Sequence, residues 1–435
     1  MKHRAFRFAL GVLAGVGAVA FGGLGCGGEA DCAAGNGTLQ VQVSGVPAGS
    51  TATVHVHGPS GDQTLSATQS LTVASGSYEL SSELILVADP LIRTAYKAAI
   101  ASSPSQVCGD ATTTVTVAFA PLPTSHRLWW GNANGAATLL GYDASVLGAS
   151  GSPGATVLIQ PTGGVNSQVF DREGNLWVAD GITSSTGVQR YPGETFSGSG
   201  SLTPDVVITS SVFHDGVPGV GAMAFDGSGN LWVSVPYANE VVRLGAATLT
   251  ETADVTPSIV VSGYTGPLAF DASGNLWIGA DDHLVEFAAA RLSSSPTGAP
   301  DVDLTAQTSG PVVANLGHML GLAFDASGNL WVNYDGPIAR FTPAERAASG
   351  MVTPGVLLNT DVTALPEGLA FDEGGGLWVA NQGGSFGRFG PDQLTTSSAD
   401  GPERIVTSAD VGSAGSPALF PAPAGLPLYS SLPAP

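Results

Sequence analysis

His214 with Asp215, Asp281 with Asp282 and His283, His318, and Asp335 are the side chains here whose types and spacing could do chemistry. Imidazoles and carboxylates together suit one divalent cation, magnesium or calcium, or a polar ligand held by hydrogen bonds. The same groups strewn over the loops of an acidic protein would simply be solvated. Which applies depends on whether the fold carries them to one place.

What could carry them is a repeat. FDASGNLWI begins at Phe270, and near-copies begin at Phe170, Phe225, Phe324 and Phe371. Tryptophans at 129, 177, 232, 277, 331 and 378 are spaced by 48, 55, 45, 54 and 47 residues. That period belongs to propeller blades or a solenoid. Within one unit, Gly321 to Asp325 reads as an inner strand A, and Asp325 to Asn329 as a tight turn in which Gly328 takes a positive φ. Leu330-Trp331-Val332 returns as strand B, apolar without alternation, as a strand buried on both faces would be. Ile338 to Phe341 reads as strand C, and Pro354 to Leu358 as an outer strand D opened by proline.

The ends choose between a solenoid and a ring. The first unit starts at strand B, Leu128-Trp129, with no strand A before it. Pro417 to Phe420 reads as a strand A with no LW partner after it. Donating that last strand to the first blade closes the ring and removes both edges. The expected fold is all-β: a six-bladed β-propeller over 126–421, preceded by a small β-sandwich over 32–121.

The connections bear on function. The C–D connections (192–204, 245–257, 288–300, 342–354 and 390–402) are equally long, as befits a repeated structural job. The D–A connections vary, as loops shaped one by one for binding do. The two longest carry His214 with Asp215 and His318, and the intervening blade offers Asp281, Asp282 and His283 in its B–C turn. Tyr334 and Asp335 follow next door. These side chains are expected to gather on half of one rim. The repeated Asp171, Asp226, Asp271, Asp325 and Asp372 are read as turn formers, not ligands, and the repeated Trp as blade packing.

The G-L-A-F-D-x-x-G-N-L-W-V core followed by x-x-R-F resembles the NHL-repeat propellers and, among them, the streptogramin lyase-like proteins. That resemblance covers roughly 128 to 420 and implies the propeller fold. Streptogramin lyases have seven blades and use a catalytic His with Mg²⁺ at the channel mouth, commonly just before the Gly of strand A. Here Leu320 precedes Gly321 and Glu367 precedes Gly368, with His318 three positions before Gly321. The preferred reading is therefore ligand or protein binding without chemistry; a metal-dependent lyase or lactonase is the alternative.

Ahead of the propeller, Lys2, Arg4 and Arg7 precede an apolar stretch from Phe8 to Phe21, too short to span a bilayer. Leu24-Gly25-Cys26 resembles a bacterial lipobox, which would make 1–25 a signal peptide and Cys26 a lipidated first residue. An ordinary signal peptide cut nearby is the other reading. In an exported chain Cys32 and Cys108 can pair; alternatively they are two small unpaired core residues. Strand alternation in Leu39 to Val43, Ala52 to Val56, Ser70 to Val73 and Thr113 to Phe119 marks the sandwich, which resembles immunoglobulin-like and carboxypeptidase-regulatory-like modules. His55 and His57 share a face of one strand, more simply as exposed imidazoles than as metal ligands. Pro121 to Thr124 reads as a linker and 422–435 as a proline-rich tail.

The chain has 435 residues, 60 of them Gly, and a formal net charge of −21. Such a surface repels nucleic acid and anionic lipid, so the membrane is expected as a partner only through the anchor, at the outer membrane or cell surface. A monomer binding a polar ligand or a protein is expected. No HExxH or CxxC pair is present.

Overall fold

The computed structural model describes residues 32–132, 138–162, 164–180, 187–213, 220–306, 319–334, 337–358, 366–381, 383–408, 414–424 and 426. Among these there are strands and short 3-10 turns and no α-helix. Six sheets, each with four antiparallel strands A to D, form the propeller, and two more form the N-terminal module. Strands B of the blades are Arg127–Asn132, Leu176–Asp180, Leu231–Val235, Leu276–Ala280, Leu330–Tyr334 and Leu377–Asn381. The ring closes as the sequence predicts. Ala414–Phe420 lies antiparallel to Arg127–Asn132 as strand A of blade 1.

The repeat has a physical reason. In blade 5 the Asp325 carboxylate accepts from the backbone N–H of Ser327 and Asn329 (2.9 Å each), from Asn329 Nδ2 (2.8 Å) and from Trp331 Nε1 (3.0 Å). Gly328, at φ 76°, supplies the left-handed residue that the turn requires. So one carboxylate both closes the turn and satisfies the only polar atom of the buried tryptophan. The same Asp–Trp bond recurs at Trp177, Trp232, Trp277 and Trp378. Blade 1 has no such Asp, and Trp129 Nε1 donates to Thr124 O (2.8 Å) instead. The expected linker is therefore packed: Leu122 and Thr124 are buried, and Thr124 Oγ1 donates to Gly174 O (2.9 Å).

Blade-to-blade packing follows from the same residues. Trp177, Trp232 and Trp331 each meet edge-on the strand-A phenylalanine of the next blade, Phe225, Phe270 and Phe371. A strand-C arginine covers the other side of the indole: Arg190 on Trp177, Arg243 on Trp232, Arg340 on Trp331. Each of these then reaches a C–D carbonyl of the following blade, at Leu249, Leu292 or Leu394.

The uniform C–D connections have the structural job that their equal length suggests. A hydroxyl from each connection accepts from a backbone N–H on the strand D of the preceding blade. Ser199 reaches Leu158, Thr252 reaches Val207, Ser295 reaches Val260, Ser349 reaches Asp303, Ser397 reaches Leu357 and Ser150 reaches Ile405. The distances run from 2.9 to 3.1 Å. The outer edges are thereby covered by the neighbouring blade all the way round.

The N-terminal module is two packed sheets, with strands Asn36–Ser44 and Thr112–Pro121 parallel at the centre of the larger one. Leu39, Val41, Val54, Val56, Val115 and Val117 fill its core, in register with the alternation in the sequence. Cys32 and Cys108 form a disulfide. The module rests on the face of the propeller where the A–B turns and C–D connections emerge. Arg93 Nε lies 3.0 Å from Glu373 Oε2, Glu373 N–H donates to Leu91 O (2.9 Å), and Lys97 pairs with Glu194 at 2.5 Å. Arg93 also donates to Ala422 O, just past the closing strand.

Candidate functional site

Strands A converge on the axis, and the channel between them differs at its two ends. Toward the N-terminal module it is apolar, lined by Phe170, Phe270, Phe324 and Phe371 with Ala422, Pro423 and Leu426 of the C-terminal segment. At the opposite end the strands A begin and the strands B finish. A cavity of about 350 Å³ opens there across blades 2 to 5 and the start of the closing strand. Its wall carries Asn166, Ser167, Ser234, Thr265, Ser416 and one carboxylate, Asp281.

Local folding explains these placements. Blade 4 turns from strand B to strand C through Asp281 and Asp282 alone, with Ala280 opposite His283 in the ladder. Asp281 takes φ 51°, a left-handed conformation that a carboxylate side chain tolerates better than most. In blade 3 the Ser234 hydroxyl links to Thr265 Oγ1 (2.7 Å) and accepts from Gly266 N (3.0 Å), tying strand B of one blade to the start of strand A of the next. Blade 5 has Asn333 at the corresponding place. It is 0% exposed, and among the described residues neither its Oδ1 nor its Nδ2 has a partner. Asn381 Oδ1 in blade 6 is likewise buried and has no partner among the described residues.

Of the rim residues read from the sequence, Asp281 lies in the cavity wall. Asp282 and His283 follow it but turn away along the blade. His283 Nδ1 is 2.6 Å from Asp303 Oδ1 on strand D, and its Nε2 is 3.4 Å from Asp282 Oδ1. His214, Asp215, His318, Asp335 and Cys26 lie outside the described residues. Among the described residues no three His, Cys, Asp or Glu side chains are arranged to hold a metal. His55 and His57 pair instead with Glu83 and Asp62. Gly383-Gly384-Ser385-Phe386-Gly387 matches the G-x-S-x-G pattern of serine hydrolases, but Ser385 opens a strand C and its Oγ accepts from Asn381 Nδ2 (3.2 Å). The strand-to-helix turn that exposes a nucleophile is missing there.

The hydrogen bond that the ring donates to Asp303, with the charges of Asp303, Asp282 and Asp281, holds the His283 imidazolium above the ordinary value of 6.5 against a smaller opposing effect of burial. A raised folded-state value means stabilisation that is complete below 6.5 and fades as pH climbs through the raised value. His283→Gln is therefore expected to cost melting temperature in mildly acidic buffer and almost none in alkaline buffer. Equal losses in both buffers would show that the ion pair is not the cause.

Sequence reading missed Ser167, Ser234, Thr265 and Ser416. For Ser234 a signal was available, in the residue after L-W-V/I. It is Ala179, Ser234, Gly279, Asn333 and Ala380 in blades 2 to 6. That residue varies from blade to blade where the three before it do not.

No protein-family model and no curated protein matches the sequence. Solved structures similar in fold include a streptogramin B lyase, 13% identical over 52% of this chain, at a TM-score of 0.35. The match spans 65% of that lyase chain, less than two thirds of its length. A virginiamycin B lyase from Staphylococcus aureus (12% identity over 52% of this chain and 67% of the lyase, TM-score 0.33) is of the same kind. A chain of the nidogen/laminin complex matches over 67% of this chain and 97% of its own length, 12% identical, at a TM-score of 0.43. At these identities the likeness is one of fold.

Proposed function

We propose that this is an exported, lipid-anchored bacterial surface protein whose propeller binds a small polar ligand or a partner's polar segment at the open channel mouth, without chemistry. The observation that carries the reading is the asymmetry of the two faces. The N-terminal module and the C-terminal segment occupy one face and its end of the channel, so access to the axis is from the other. Concave sites with a few convergent polar groups are the usual ligand sites of rigid scaffolds. Anchoring at Cys26 belongs to the same proposal. The Cys32–Cys108 bridge favours an oxidising compartment.

The wall among the described residues offers one carboxylate and several hydroxyls, with no acid–base pair within reach of one another, which favours binding over turnover. The test is a thermal-shift screen of the full chain against sugars, amino acids, polyamines and nucleosides. Thr265→Trp fills the mouth, and Ser228→Trp serves as a control on the opposite face. Stabilisation by a compound in the wild type and in Ser228→Trp, abolished in Thr265→Trp, is the expected result. Stabilisation that survives Thr265→Trp, or none from any compound, overturns it.

A further inference from the structure

We infer that the mouth is built for an uncharged polyhydroxy ligand, a saccharide; this rests on the mouth being the binding site. Among the described residues no lysine or arginine stands in the wall, and the chain carries a net charge of −21, so an anion would find no counter-charge there and a repulsive field. An apolar ligand would strip water from Ser167, Thr265, Ser416, Asn166 and Asp281 and return no hydrogen bonds. Among the described residues an alkylammonium would meet a single carboxylate and no aromatic cage.

A sugar ring meets what is there. Its hydroxyls both donate and accept, as do Ser167, Thr265 and Ser416, and Asn166 keeps its amide oxygen to offer while its Nδ2 donates to Val220 O (2.7 Å). Asp281, acceptor-only when ionised, can take two neighbouring hydroxyls at once. The backbone contributes because the wall is thin: Gly221, Gly266, Gly279 and Gly415 leave peptide groups facing the space. At the rim, Pro236 lines the cavity and the next residue, Tyr237, is 70% exposed. An exposed tyrosine ring next in sequence to a cavity-lining proline offers a flat apolar surface with a polar tip, suited to the C–H face of a pyranose. The cavity of about 350 Å³ is at the small end of the range for small-molecule sites, which points to one or two rings rather than a long oligosaccharide.

Saturation-transfer NMR and calorimetry on the full chain can decide this, with glucose, galactose, N-acetylglucosamine and cellobiose against glucosamine, choline and glucuronate. The expected result is that at least one neutral sugar binds and glucuronate does not. Asp281→Asn should weaken that binding about tenfold, the loss of a hydrogen bond to a charged group, and Tyr237→Ala should weaken it severalfold. Binding confined to glucosamine or choline overturns the sugar assignment and leaves the mouth as the site. So does the absence of sugar binding alongside another compound whose effect Thr265→Trp abolishes. Sugar binding that neither Asp281→Asn nor Tyr237→Ala changes places the sugar elsewhere and overturns the inference.

Discussion

Arg388→Ala is expected to cost about 3–5 kcal/mol, and adding Gly376→Asn to the same chain is expected to recover most of it. In blades 2 to 5 the residue before L-W is Asn, whose amide donates to the turn Asp, as Asn175 does to Asp171 at 2.9 Å. Blade 6 has Gly376 there. Arg388 lies in the freed space: its Nε is 2.5 Å and its Nη2 3.0 Å from the two oxygens of Asp372, whose side chain is fully buried. A Cβ on Gly376 would stand 2.3 Å from the guanidinium carbon, so the Asn and the inward Arg exclude each other. Removing Arg388 alone leaves a buried carboxylate without its partner. Gly376→Asn alone forces the arginine out and should also destabilise. Together they rebuild the turn of the other blades, with an asparagine amide on the turn Asp, and lack only the strand-C arginine that covers the tryptophan in blades 2, 3 and 5. Denaturant midpoints of the four proteins measure the coupling. A double variant no more stable than Arg388→Ala would sink the idea that one group stands in for the other.

The second large effect is expected at Arg346, where a similar exchange spans two blades. Strand C of blade 4 has Glu286 in the place of the arginine that covers the tryptophan elsewhere, and Trp277 is covered instead by Arg346 from the C–D connection of blade 5. That guanidinium lies 5.0 Å from the ring centres of both Trp277 and Phe324, and 3.8 Å from Asp271 Oδ2. The corresponding residue is Leu249, Leu292 or Leu394 in other blades. Burial, then the nearby Asp271, pushes the Glu286 carboxyl up, and burial pushes Arg346 down. Each charge is tolerable only beside the other. Arg346→Leu should therefore cost about 3 kcal/mol, and Glu286→Arg should destabilise by crowding two guanidinia on one indole. Combined, the two changes reproduce the pattern of the other blade junctions, and the denaturation midpoint should return toward wild type. Additive losses in the double variant would refute the exchange.

Both cases show what the sequence makes legible and what it hides. F-D-x-x-G-N-L-W-V announces its turn and its buried strand because every residue in it serves the same local geometry in blades 2 to 5, and with one change in blade 6. The remaining blade and the closing strand were read from Leu128-Trp129 at one end and Pro417 to Phe420 at the other. The departures, Gly376 and Glu286, are single letters whose compensation lies 12 residues away in one case and 60 in the other. Nothing local connects them. The C–D hydroxyls that cap the neighbouring D strands were hidden for a different reason. Ser150, Ser199, Thr252, Ser295, Ser349 and Ser397 sit among other serines and threonines, and only the neighbouring blade distinguishes them. The mouth was half legible: unequal D–A connections pointed to the face on which Asp281 lies, but whether His283 leans inward or toward Asp303 is a matter of side-chain reach that spacing does not encode.

The disulfide has a mechanical meaning for a chain held at its N-terminal end. Cys32 precedes the first strand of the module, and Cys108 lies just ahead of Thr112–Pro121, the strand that leads into blade 1. Tension entering ahead of Cys32 crosses two sulfur atoms to Cys108 and continues along that last strand into the ring. The intervening stretch, with a sequence separation of 76 between the cysteines, is a slack side loop off the load path. Its strands cannot be peeled away one by one from the N-terminus. In a chain so held the load would arrive where Leu122 and Thr124 are packed against Gly174, and the tether to the propeller would be short however many residues the module contains.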